Sequence, residues 1–247
     1  MEGILVQDLY KVYGSTKEAG YTALNGITFH LKKGEYVALV GESGSGKSTL
    51  ARLLIGLAKP SSGRILLDGE DTAAWSYSTW RKNRRKIQAV FQDAAGTLNP
   101  MLSVYHNVEE ALVNLTDLNP KERRERLYSL MELTNMSPRL LKVPTRQLSG
   151  GEQRRLSLLR ALSIRPAYLI LDEVISGLDL ISADAVMTVL EKYQQEFACA
   201  CLFVTHDHNS AYRISNRILE IKNGKIIREG IKGLGRRGIE DEAKQMA

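Results

Sequence analysis

Short apolar, β-branched runs punctuate the chain, each followed by a turn: Ile4–Val6, Tyr36–Val40, Ile87–Phe91, Tyr168–Asp172, Cys201–Thr205 and Arg217–Ile221. Runs such as YLIL are apolar throughout rather than alternating, which is the pattern of a strand covered on both faces. Between them lie stretches with helical spacing, notably Lys47–Leu57 and Ala183–Phe197. Strand–helix alternation of this kind predicts an open α/β sheet. The middle breaks the rhythm. From about Val104 to Ile164 no strand pattern recurs, but amphipathic helical signals do, including KERRERLYSLMEL at Lys121–Leu133. This predicts a helical subdomain inserted into the α/β core. From Ile231 to Ala247 the chain becomes glycine-rich and then charged, which predicts a frayed tail.

Composition narrows the class. The 247 residues suffice for one large or two small domains with a substantial core. With 43% hydrophobic and 25% charged residues, the balance is that of a soluble globular protein. The longest apolar runs, Ala167–Leu171 and Ala198–Val204, fall far short of the ~20 residues that a membrane helix needs. MEGILVQDLY has no basic region followed by an apolar stretch, so no export signal is expected. A membrane role would therefore come through a partner.

Net charge is +6 and the pI is near 9.2. That suits nucleic acid or an anionic surface, but Lys and Arg are scattered. Only WRKNRRK, Trp80–Lys86, clusters, and a solvated helix end is the expected reading. Cys199 and Cys201 sit two apart in an apparent strand and so face one side. Two thiols without companions make a poor zinc site, so core packing in a reducing cytoplasm is expected.

The chemistry begins at GESGSGKST, Gly41–Thr49, where Gly41-x-x-x-x-Gly46-Lys47-Ser48 follows an apolar strand and opens a helical stretch. The loop residues Glu42, Ser43, Gly44 and Ser45 would turn their backbone N–H groups around a phosphate, backed by the helix N-terminus. Lys47 would reach the β- and γ-phosphates, and Ser48, followed by Thr49, would ligate Mg²⁺. YLILDE supplies the acidic end of a buried strand. There Asp172 is placed for Mg²⁺, directly or through water, and Glu173 for polarising an attacking water. His206, after CLFVT, and Gln92, after IQAVF, end two more strands, at the sheet edge where α/β folds place ligands.

A second glycine-rich turn, LSGGEQRRL, opens another helix. The Ser149 hydroxyl and the N–H groups of Gly150 and Gly151 form either an anion site or a plain helix cap.

In this order, GESGSGKST, FQD, LSGGE, LILDE, SGLD and THD, the chain resembles the ATP-binding subunits of ABC transporters over nearly its whole length. FQDAAGTLNP (Phe91–Pro100) and VGESGSGKSTLARLL are similar to the peptide and nickel importer branch. The resemblance implies an α/β P-loop ATPase core with an antiparallel β subdomain and an inserted α-helical subdomain. One nucleotide-binding domain would span residues 1–230, with the insert at about 95–164 and a charged tail at 231–247.

It further implies that Tyr13 stacks on adenine, with Tyr10 and Tyr21 as alternatives, and that Gln92 links Mg²⁺ and water to a membrane subunit. Asp179 would lie at an interface between two ATPase subunits, and His206 would contact the γ-phosphate. Ser149, Gly150 and Gly151 would serve the γ-phosphate held by the partner's loop.

ATP and Mg²⁺ are the implied cofactors. The implied partners are a second ATP-binding subunit (a paralogue or an identical copy), two permease subunits and an extracytoplasmic binding protein, with no nucleic acid. The work would be import of nickel, a metal complex or short peptides, done peripherally at the cytoplasmic face of the cell membrane. A cytoplasmic helix of the permease would dock between the α/β core and the insert.

Three departures stand out. The signature turn carries Glu152 where glutamine is commonest, and its side chain is expected to point away from the phosphates. Val174 and Ile175 replace the usual proline and threonine after the acidic pair, which predicts a less rigid turn. The chain also stops early where peptide-importer relatives often extend, which weighs against a peptide. Two other classes share these motifs. DNA-associated ATPases insert a long coiled coil, for which the stretch from Gln92 to Leu148 is too short and lacks heptads. A single-unit ATPase serving a soluble complex, of the phosphonate-breakdown kind, remains compatible with the sequence.

Overall fold

The computed structural model describes residues 2–14, 20–93 and 95–231. The charged tail beyond Ile231 lies outside the described residues.

Two sheets form the scaffold. The larger has the order β10-β9-β3-β8-β7-β6. Its strands are β3 (Tyr36–Val40), β6 (Ile87–Val90), β7 (Tyr168–Asp172), β8 (Ala200–Thr205), β9 (Arg217–Lys222) and β10 (Lys225–Ile231). All neighbours are parallel except β9 and β10. A smaller antiparallel sheet contains β1 (Gly3–Tyr13), β2 (Tyr21–Lys32), β4 (Ser62–Leu67) and β5 (Glu70–Asp71), in the order β2-β1-β4-β5. Between β6 and β7 run the helices α3 (Val104–Leu115), α4 (Pro120–Leu133) and α5 (Gly150–Ser163). The others are α1 (Lys47–Leu54), α2 (Tyr77–Asn83), α6 (Leu180–Glu196) and α7 (His208–Ile214).

Every residue of β3, β7 and β8 is buried, which accounts for their unbroken apolar sequence. Alternate residues serve two cores. Val37, Leu39, Ile170, Leu202 and Val204 pack towards α1 and the small sheet. Tyr36, Leu169, Leu171, Cys201 and Phe203 pack towards α3–α6. Cys199 lies one residue before β8 rather than within it, and joins the same core as Cys201. Burial pushes the Cys199 thiol up to about 12 and that of Cys201 well above its usual range, so both are inert packing groups.

The parallel register positions the site. Val40 pairs with Thr205, Val204 with Asp172, and Leu171 with Val90. The residues just beyond these strands, Gly41, Gln92, Glu173 and His206, therefore emerge along one edge. α1 stops at Leu54, short of the predicted Leu57. Gly56 adopts a left-handed φ of 70°, and a Cβ there would come within 2.4 Å of the Trp80 ring. The basic run Trp80–Lys86 is partly structural rather than a free solvated end. Arg84 lies over the Trp80 ring and donates to Ile55 O, while Lys86 pairs with Asp68.

Candidate nucleotide site

The loop from Gly41 to Gly46 is shaped by close backbone approach. A Cβ on Gly41 would lie 2.3 Å from Ile221 O, and one on Gly46, at φ 108°, would lie 2.4 Å from Ala23 O. Only glycine fits both positions. α1 begins directly afterwards, so its first N–H groups face the loop. Lys47 is only 5% exposed, and its ammonium donates to Gly41 O (2.7 Å) and Glu42 O (2.9 Å). It also lies 3.8 Å from Glu173 Oε1.

The acidic strand end lies beside this loop. Ser48 Oγ donates to Asp172 Oδ1 at 3.1 Å. Burial raises the Asp172 carboxyl above its usual range, and the Ser48 hydrogen bond partly offsets the rise. Glu173 turns off the strand at a left-handed φ of 55°, which aims its carboxylate back across the edge. Its Oε2 lies 2.8 Å from His206 Nδ1. When Glu173 is ionised its carboxylate can only accept, and in that state the shared hydrogen sits on Nδ1. The turn that follows is held by burial: Val174 and Ile175 both enter the core of the helical side. They anchor the turn by apolar burial where proline and threonine are usual.

Together these groups enclose a cavity of about 630 Å³. Glu42, Ser43, Gly44, Gly46, Lys47, Ser48 and Thr49 line one wall, and Gln92, Glu173 and His206 line the other. Gly41 and Ser45 form the loop without lining the cavity, and Asp172 lies behind Ser48. Ser176 also joins the wall, although no sequence argument singled it out. It arrives because its N–H closes a turn onto Glu173 O at 3.1 Å.

The aromatic wall is Tyr21, whose hydroxyl donates to Gly44 O at 2.9 Å. Tyr13 pairs with Tyr21 in the β1–β2 register but does not line this cavity, and Lys11 Nζ sits 4.8 Å over its ring.

Ser149, Gly150, Gly151 and Asp179 are not brought into the cavity. Ser149 caps α5 and Asp179 caps α6, each accepting from a backbone N–H three residues on. Glu152 turns back onto the cap, accepting from Ser149 N and from the Ser149 hydroxyl, both at 2.8 Å. These bonds, the backbone one first, hold its carboxyl below the usual range. The arrangement is a capping box, and the spacing Ser149-x-x-Glu152 was a readable signal for it.

A strand–loop–helix phosphate cradle with a buried lysine and an adjoining acidic strand end defines a P-loop nucleoside triphosphatase. Residues 24–176 match the family profile described as ABC transporter. The chain belongs to that family and is an ATPase with the ABC-type P-loop fold.

It is 40% identical to the nickel import ATP-binding protein NikE of Escherichia coli K12 over 217 residues, 88% of this chain and 81% of the relative. The NikE of Shigella boydii serotype 4 is 41% identical over 213 residues, covering 86% and 80%. Among solved structures, the dimeric post-hydrolysis state of the ATP-binding cassette MJ0796 bound to ADP and Pi superposes with a TM-score of 0.83 at 31% identity, covering 92% of this chain and 98% of that one. The structure of cbiO1 from Clostridium perfringens, described as part of the ABC transporter complex cbiONQ, gives 0.81 at 33% identity, covering 94% and 89%.

Proposed function

We propose that this chain energises import of nickel, free or chelated, across the cytoplasmic membrane, with short peptides as the alternative cargo of the same branch. The observation that carries this reading is the identity of 40% to a nickel import ATP-binding protein, spread over 88% of the chain. No helix among the described residues is long and apolar enough to cross a membrane. As the ATP-binding subunit of an importer, like the nickel import relative, the chain would act peripherally at the cytoplasmic face. Its partners would be two permeases, an extracytoplasmic binding protein and a second ATP-binding subunit.

A groove supports the permease contact. Gln88 and Ala89 of β6, Glu110 and Ala111 of α3, and Ser157 and Arg160 of α5 line a cleft of about 250 Å³. A helix from the membrane subunit would dock there, between the sheet edge and the helical insert.

In hydrolysis, the loop N–H groups and Lys47 hold the β- and γ-phosphates. The hydroxyl of Ser48 and the carboxylate of Asp172 are hard oxygen donors beside the cradle. They fit Mg²⁺, which takes few protein ligands and keeps waters and phosphate oxygens. When bound there, the ion would neutralise charge on the transferring phosphoryl group. Glu173 takes the proton of the attacking water, His206 fixes its carboxylate, and Gln92 closes the far side.

The turn at Ser149–Gly151 lies outside this chain's own cavity, which supports its serving a partner's nucleotide; the MJ0796 cassette is itself dimeric. Changing Ser149→Ala together with Gly150→Asp is expected to abolish turnover in the assembled complex while leaving ATP binding to the isolated subunit unchanged. A Cβ at Gly150 meets nothing within 4 Å, so the aspartate finds room, and losing the Ser149 cap should cost only about 1 kcal/mol of stability. Equal loss of binding and turnover would contradict the shared site.

Cargo is tested by uptake in cells lacking the gene, measured for nickel and for short peptides. Loss of nickel uptake alone, restored by the intact gene, is the expected result. Loss of peptide uptake with nickel unaffected would reassign the cargo, and no change in either would overturn the import reading.

A further inference from the structure

Arg154 lies one turn into α5, just beyond Gly150 and Gly151. Its guanidinium is half-buried and donates to three main-chain carbonyls from two separate segments. Nη1 donates to Ser176 O at 2.6 Å and to Val174 O at 3.3 Å, and Nη2 donates to Gln92 O at 3.2 Å. Three carbonyl dipoles converging on one point repel one another unless a cation with several donors sits between them. The planar fork of arginine satisfies all three at once, which the compact ammonium of lysine does less completely.

The anchored residues are not arbitrary. Gln92 and Ser176 both line the nucleotide cavity, and Val174 directly follows Glu173. One side chain therefore ties the N-terminal turn of α5 to both strand-end segments that form the acidic wall. Side chains on a helix lean towards its N-terminus, so Arg154 reaches these loops from beneath the Ser149–Gly151 turn.

We propose that Arg154 is a positioning residue for ATP turnover. It fixes Gln92 and the turn after Glu173 relative to α5, so that the signature turn and the water-facing wall move as one unit. This rests on the roles given above to Glu173 and Gln92. Among the described residues, the phosphate loop, Lys47 and Tyr21 make no hydrogen bond with Arg154, so nucleotide binding should not depend on it.

The test compares Arg154→Ala, Arg154→Lys and Glu173→Gln in the full chain assembled with its permeases. Each is read for ATP affinity, for kcat and KM, and for amide exchange across residues 173–179. Arg154→Ala is expected to lower kcat about 10- to 100-fold with ATP affinity unchanged, the rate equivalent of losing one charge-assisted anchor. Exchange at Ser176 and Leu178, whose N–H groups close the turn onto Glu173 and Ile175, should rise. Arg154→Lys should restore part of kcat and part of the protection.

If Arg154→Ala turns over at the parent rate, the inference fails. If affinity, kcat and thermal stability all fall in parallel, Arg154 is merely structural and the inference fails equally. Should the alanine variant not fold, the lysine variant must show the same split between kcat and affinity at smaller size, and its absence overturns the proposal. A Glu173→Gln variant with parent turnover would instead overturn the assignment of the base, separating the two failures.

Discussion

Replacing Glu173 by glutamine is expected to slow ATP turnover by about 10²–10⁴-fold, the usual worth of a positioned general base. ATP binding should survive. Glutamine matches glutamate in size and tolerates the left-handed φ of 55° no worse, so the turn after β7 should keep its shape. The buried anchors Val174 and Ile175 are untouched, as is the Ser48–Asp172 pair. What is lost is the capacity to accept a proton, together with the negative charge that faces Lys47 at 3.8 Å and His206 at 2.8 Å. Single-turnover hydrolysis measured beside equilibrium ATP binding checks this. Hydrolysis at the parent rate would mean that another group activates the water.

The second large effect is expected at Lys47. Its ammonium, nearly sealed from solvent, satisfies two loop carbonyls and faces Glu173. Phosphate oxygens are anionic and make stronger acceptors than carbonyls, so bound ATP would draw the ammonium outward. Lys47→Ala should remove charge-assisted bonds worth about 3 kcal/mol together, or roughly a hundredfold in Kd. It also leaves Glu173 without its neighbouring cation. Titration with a fluorescent ATP analogue gives the result directly, and an unchanged Kd would sink the phosphate-loop assignment. The two variants should separate cleanly, one losing turnover with binding intact and the other losing binding first.

Much of the site was readable because its parts are contiguous. Nine residues, Gly41–Thr49, carry the loop, the lysine and the helix start, and no distant residue is needed to recognise them. The acidic strand end was equally legible, since a strand buried on both faces must be apolar until it reaches the edge.

Strands of the small sheet were harder. β1 was read only at Ile4–Val6, because bulges after Val6 and a left-handed Asp8 break its alternation. β2 alternates cleanly only over Ile27–Lys32, a strand signal that the sequence reading passed over, while β10 of the larger sheet buries none of its residues and mixes polar with apolar ones. α2 buries none of its residues and left no apolar stripe to read.

What the sequence by itself determined is the chemistry: a phosphate loop, an acid pair, a histidine, a glutamine and a second glycine-rich turn at a helix start. What only the tertiary structure decided is which of these share a cavity. Parallel register set Gln92, Glu173 and His206 on one edge, and β1–β2 pairing put Tyr21 rather than Tyr13 against the loop. It also decided that Arg154 gathers three carbonyls from chain segments far from it in sequence. Local spacing encodes helix caps and loops, because their partners lie within a few residues. Contacts between strand ends depend on sheet order and register, which no short stretch of sequence contains.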